Sequence, residues 1–154
     1  MRGGFAGVVA AAAILAAALP GQAMAMDGQS AEKLRRLDIM LMVTGLRCRA
    51  AGQDFTPDYG RFVRRHTGLL NDANAGLRLR YARIFGEAGA DLALERMNTR
   101  IANSYGRGHP WLDCSQLAMV TRNLTSVEGR ETLEEAADQL LGDIAPVQLA
   151  LAQR

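Results

Sequence analysis

Four residue types are nearly missing from this chain. Its 154 residues hold two cysteines, two histidines, one tryptophan and one lysine (Lys33). A metal centre needs three or four convergent ligands, and His66 and His109 are the only imidazoles, with no C-x-x-C, C-x-x-C-H, H-x-x-x-H or H-E-x-x-H. No metal site and no cofactor is therefore expected. G-x-G-x-x-G, the P-loop and G-x-S-x-G are also missing, which removes the common nucleotide-binding and serine-hydrolase signatures. Aromatics make up 5% of the chain and alternating β-branched runs are lacking, so nothing reads as a sheet. A strong excess of one charge is lacking too. The formal net charge is +2, too small to draw the whole protein to nucleic acid.

The N-terminus holds an apolar run, Phe5 to Leu19, that is short of the roughly 20 residues a membrane span requires. Arg2 precedes it, Pro20 and Gly21 end it, and Ala23-Met24-Ala25 offers small residues to a leader peptidase. These features predict a signal peptide over 1–25, cleaved after Ala25, and a periplasmic or secreted protein with no stable membrane span once cleaved. The remainder, 26–154, suits a single helical domain with a core at about 30–125 and a helical tail at 126–154.

Helical spacing dominates that remainder. A first helix is expected from Ala31 to about Arg49 behind an N-cap at Ser30, its stripe formed by Leu34, Leu37, Leu41 and Cys48. Thr56-Pro57-Asp58 starts a second of about 30 residues that ends at Gly86. The poor helix formers at 71–76 predict a kink within it. Tyr81, Ile84 and Phe85 lie on its apolar stripe. GEAGA at 86–90 breaks the pattern, a third helix spans about Asp91 to Tyr105, and Asp113 with Gln116 resembles a capping box opening a fourth. The tail resumes the pattern until Pro146. The expected fold is an all-α, up-down bundle of four to five helices.

In such a bundle the end of helix one and the start of helix four lie together, which places Cys48 beside Cys114. In an oxidising compartment the pair forms a disulfide. The alternative is a free thiol at Cys114, made reactive by the helix N-terminus and by His109, with Asp113 or Asn103 orienting the imidazole. That arrangement would make a small hydrolase or transferase with Cys114 and His109 as catalytic residues.

Arg61, Arg64, Arg65, Arg80 and Arg83, with Arg78, decorate the second helix. They read as a solvated face or as a surface for an anionic ligand or an envelope protein. Glu128, Glu131, Glu134, Glu135 and Asp138 form an acidic face on the tail, which could pack against the basic body. His66, between Phe62 and Leu69, reads as a hydrogen-bonded core residue. Trp111 and Leu112 are expected to plug the bundle end.

MLMVTGLRCR at 40–49, the Asp54-Phe55, Tyr59, Phe62 spacing and YGRGHPWLDC at 105–114 resemble a family of small exported alphaproteobacterial helical proteins. The resemblance covers about residues 36–125 and implies an exported helical protein, with no catalytic residue to carry over. The name S-adenosyl-L-homocysteine hydrolase sometimes attached to such sequences belongs to an NAD enzyme with a Rossmann fingerprint, which this chain lacks. Three functional expectations stand: a binding or structural envelope protein, a Cys–His enzyme, and a chaperone-like helper that exposes apolar surface on acidification.

Overall fold

The computed structural model describes residues 26–142, so the expected signal peptide and the end of the tail, with Pro146, lie outside the described residues. Within them the chain forms six helices and no strand: α1 (Gly28–Ala50), α2 (Thr56–Arg65), α3 (Thr67–Phe85), α4 (Glu87–Tyr105), α5 (Cys114–Thr125) and α6 (Arg130–Leu141). The all-α expectation holds, but the number of helices and their arrangement differ from a four- to five-helix up-down bundle.

The first difference is α1. It packs against all five other helices and is the axis of the fold rather than one of its staves. Residues 37–41 are buried without a gap, and Leu34, Leu37, Met40 and Leu41 are wholly inaccessible. A helix apolar on one stripe has one covered face, whereas one buried on every side is enclosed by neighbours. Its cap also lies three residues before the expected Ser30. The Asp27 carboxylate accepts from the backbone N–H of Gln29 and Ser30, both at 2.9 Å, which satisfies two orphan donors of the first turn.

The second difference is the long expected helix, which breaks at His66 and not at 71–76. His66 takes φ −106° and ψ 16°, closing α2 and preceding α3. Its buried ring turns inward, and Nε2 donates to the Leu124 carbonyl at the end of α5, 2.8 Å away. Beside it the Thr67 hydroxyl donates back to the Val63 carbonyl at 2.8 Å, a bond that bends helices. Residues 71–76 stay helical because tertiary contacts outweigh propensity there. Ala73 and Leu77 are fully buried, and Gly76 faces the Ala31 side chain and the Met26 carbonyl, each 3.7 Å from where a Cβ would stand. Nor is all of GEAGA a break. Gly86, at φ 75°, makes the turn alone and α4 starts at Glu87.

Other expectations stand as read. Asp113 and Gln116 form a reciprocal capping box at the start of α5. Leu94, Met97 and Ile101 bury the inner face of α4. His66 is a hydrogen-bonded core residue. The Sγ atoms of Cys48 and Cys114 lie at disulfide distance, 2.01 Å, and tie the last turn of α1 to the first residue of α5.

The acidic face of the tail and the basic body do meet. Lys33 pairs with Asp138 at 2.8 Å, Arg65 with Glu128 at 2.8 Å, and the Ser30 hydroxyl lies 2.9 Å from a Glu134 oxygen. The Asp138 carboxylate holds the Lys33 ammonium above its ordinary value. The Lys33 and Ser30 contacts, with Leu133, Ala137 and Leu141, lay α6 along α1, while Arg65 holds the loop before α6 to α2.

Candidate functional site

The Cys–His neighbourhood was the sharpest catalytic expectation, and its geometry is that of a structural corner. The Cys114 sulfur lies at disulfide distance from that of Cys48, an arrangement that leaves no free thiol. Both nitrogens of His109 are engaged. Nδ1 accepts from the backbone N–H of Leu112 at 3.2 Å and of Trp111 at 3.4 Å, so Nε2 carries the proton and donates to the Leu140 carbonyl at 3.0 Å. This fixes the neutral tautomer, and burial lowers the imidazole pKa further, against the opposing pull of the Leu140 carbonyl. Tyr105 stacks on one side of the ring and Trp111 meets it edge-on, 4.5 Å between centroids. Trp111 does not plug the bundle; it is 38% exposed and covers His109, while Leu112 packs against the core. His109 thus pins the α4–α5 loop to the end of α6.

The arginine face divides between two helices and is largely consumed by local pairing. Arg61, with Arg122 of α5 at 3.2 Å, pairs with the buried carboxylate of Asp58. Arg65 pairs with Glu128, Arg80 with Glu32 at 3.6 Å, and Arg78 with both Asp91 at 2.8 Å and Glu87 at 3.1 Å. Only Arg64 and Arg83 of the expected set lack an ion pair among the described residues.

Outside that set Arg36, Arg47, Arg96, Arg100 and Arg107 make no ion pair among the described residues, and two of them lie together beside a groove. Arg96 and Arg100, one turn apart on α4, are exposed and make no ion pair among the described residues. Like charges at this spacing repel by about 0.2–0.5 kcal/mol on a helix surface. They border a groove of about 590 Å³ between α3 and α4, lined also by Tyr81, Phe85, Leu92 and Met97. Phe85 is 58% exposed and Leu92 48%, while Met97 is buried and forms the floor. Phe85 and Ile84 were expected on a buried stripe. The structure puts both in solvent, because α4 turns away at Gly86 and leaves the last turn of α3 uncovered.

Gly89 shapes the groove. A Cβ at this position would lie 2.9 Å from the Phe85 Cβ, so only glycine lets the start of α4 approach the end of α3 this closely. The sequence did contain a signal for this site. Apolar residues at 81, 85 and 92 with arginines at 96 and 100 keep the spacing of one surface across the Gly86 turn, but the expected breadth of the 86–90 break hid the continuity.

Two further features are structural. The buried Asp38 carboxylate accepts from Tyr59 Oη at 2.8 Å and from Arg35 at 2.9 Å, and Arg35 also reaches Asn98, so α1, α2 and α4 meet in one polar knot. Burial, then the Asp38 charge, push the Tyr59 phenol pKa well up, so it stays a donor. A second depression of about 380 Å³, lined by Gln29, Lys33, Arg36, Asp138 and Leu141, follows the α1–α6 seam and is bounded by Gly142, the last described residue. Among the described residues no group of three or more His, Cys, Asp or Glu is placed to hold a metal ion, and no helix is long and apolar enough to cross a membrane. Comparison with family models, curated proteins and solved structures finds no match for this chain.

Proposed function

We propose that this is an exported protein of the periplasm or cell envelope whose role is binding or structural rather than catalytic, and that its contact surface is the α3–α4 groove. One observation carries the choice of surface: exposed Phe85 and Leu92 stand beside two arginines that pair with no carboxylate among the described residues. Isolated exposed apolar residues are ordinary on a soluble domain. Among the described residues two of the eight large exposed ones, Phe85 and Leu92, line one groove together, and that adjacency favours a contact face. Export is supported by the leader-like pattern over 1–25 and by a cysteine pair at bonding distance, which fits an oxidising compartment. The Cys–His enzyme loses its support, because that chemistry needs both a thiol and a free ring nitrogen.

The location is tested by expressing the full chain and weighing the product recovered from the periplasm. A mass beginning at Met26 is expected, and retention of residues 1–25 in the cytoplasm refutes export. The surface is tested with an apolar fluorescent dye, whose emission should rise with the native protein and fall in Phe85→Ser and Leu92→Ser. Equal emission from native protein and both variants refutes the surface.

A further inference from the structure

We infer that the α3–α4 groove is a binding site for a free fatty acid, with the acyl chain along Tyr81, Phe85, Leu92 and Met97 and the carboxylate on Arg96 and Arg100. This rests on the reading of that groove as the contact surface and adds the chemistry of its occupant. The groove is polarised along its length. Its apolar end lies under the Gly86 turn, where Gly89 brings α4 against Phe85, and its basic end lies at Arg100. Eleven residues of α4 separate Gly89 from Arg100, about 16 Å at 1.5 Å per residue. A ligand complementary to it is long, apolar at one end and anionic at the other.

Charge narrows the occupants to anions. Guanidinium groups form paired hydrogen bonds to a carboxylate, and an anion placed between Arg96 and Arg100 relieves their mutual repulsion. Glu95 is the nearest carboxylate in sequence. It lines the adjoining shallow face with Thr99 and Asn103 and pairs with neither arginine. A second copy docked through the same face would bring two such arginine pairs into one interface, with only the Glu95 carboxylates of the adjoining face to meet them. The groove volume falls in the range of small-molecule sites.

The test uses the oxidised mature protein and dodecanoate below its micelle concentration, followed by titration calorimetry. Saturable one-to-one binding is expected, with dodecanol, the uncharged chain of equal length, bound about tenfold or more weakly. Arg96→Gln/Arg100→Gln should reduce dodecanoate to the level of dodecanol and leave dodecanol unchanged. Phe85→Ser should weaken both, with melting curves confirming that each variant is folded. Equal affinity for dodecanoate and dodecanol, or no response to the double arginine variant, overturns the assignment. So does lysophosphatidylglycerol binding tenfold more tightly than dodecanoate, which would make the occupant a phospholipid. A dimer in sedimentation that Phe85→Ser splits, with no dodecanoate bound, overturns the fatty acid but keeps the surface. Indifference of both the apolar dye and dodecanoate to Phe85→Ser removes the surface as well.

Discussion

His109 Nε2 lies 3.0 Å from the carbonyl oxygen of Leu140, and this bond joins the loop before α5 to the end of α6. Nδ1 faces two backbone N–H groups, so a second proton on the ring would point at donors instead of an acceptor. Burial accordingly holds the imidazole below its ordinary value. Where the folded-state pKa is lowered, the unfolded chain binds more protons in the window between the two values, so stability rises with pH across it. The contribution is complete above the unfolded value, about 6.5, and is lost as pH falls through the folded one. Urea titrations should show stability declining below about pH 6.5, with a smaller decline in His109→Phe. An unchanged pH profile in that variant assigns the decline to other groups.

Cys48 and Cys114 are separated by 66 residues, and cross-linking a loop of that length constrains the unfolded chain by roughly 4 kcal/mol. Cys48→Ser and Cys114→Ser should therefore lose similar stability, and the double variant should lose no more than either. Alkylation of the oxidised protein should add no mass, since each free thiol would add one label. Unequal losses, with Cys114→Ser stable but altered in some activity, would restore the reactive-thiol alternative.

Asp58 and its two arginines predict an asymmetry. The carboxylate is buried, whereas Arg61 and Arg122 are each about half exposed. Removing both arginines leaves a buried charge without partners, at a cost of about 2 kcal/mol after discounting its residual contact with water. Asp58→Leu leaves two arginines that water can solvate, so it should cost less than Arg61→Ala/Arg122→Ala. Equal costs in chemical denaturation would mean that Asp58 is better hydrated than its burial indicates.

Gly89→Ala tests how closely α3 and α4 approach. The added methyl meets the Phe85 Cβ at 2.9 Å, and that atom sits too near the backbone to swing away. Overpacking of this kind costs about 1–3 kcal/mol, and the melting temperature should fall accordingly. Binding of apolar dye in the groove should change in the same variant. Gly68→Ala, where nothing lies within 4 Å of an added Cβ, is the matched control and should be neutral or stabilising.

Much of this architecture could be read in the letters, and the failures share a physical origin. Asp113 with Gln116 names its own partner, because a capping box is closed within four residues. Leu94, Met97 and Ile101 sit on one face that the neighbouring helices cover. The pairing of Cys48 with Cys114 needed only the order of helix ends. Spacing along a helix does not say how many faces are covered, so α1 read as a stripe and proved to be enclosed. Nor does it say where a covering helix stops, so Phe85 and Ile84 read as core and lie in solvent. The break at His66 depends on a carbonyl 58 residues away, a contact with no trace in local propensity. The same limit hid the groove, since Arg96 and Arg100 become conspicuous only once exposed Phe85 and Leu92 are seen beside them.

The enclosure of α1 has a consequence for how the domain comes apart. Every other helix uses α1 as a wall, so no subset of the remaining five retains a complete interior once it is removed. Cooperativity is thus concentrated in one segment. The periphery should open in pieces, with α6 the most readily detached because α1 is its main support, and the last amides to exchange with solvent should be those of α1. A protein arranged in this way can loosen at its surface without losing its centre.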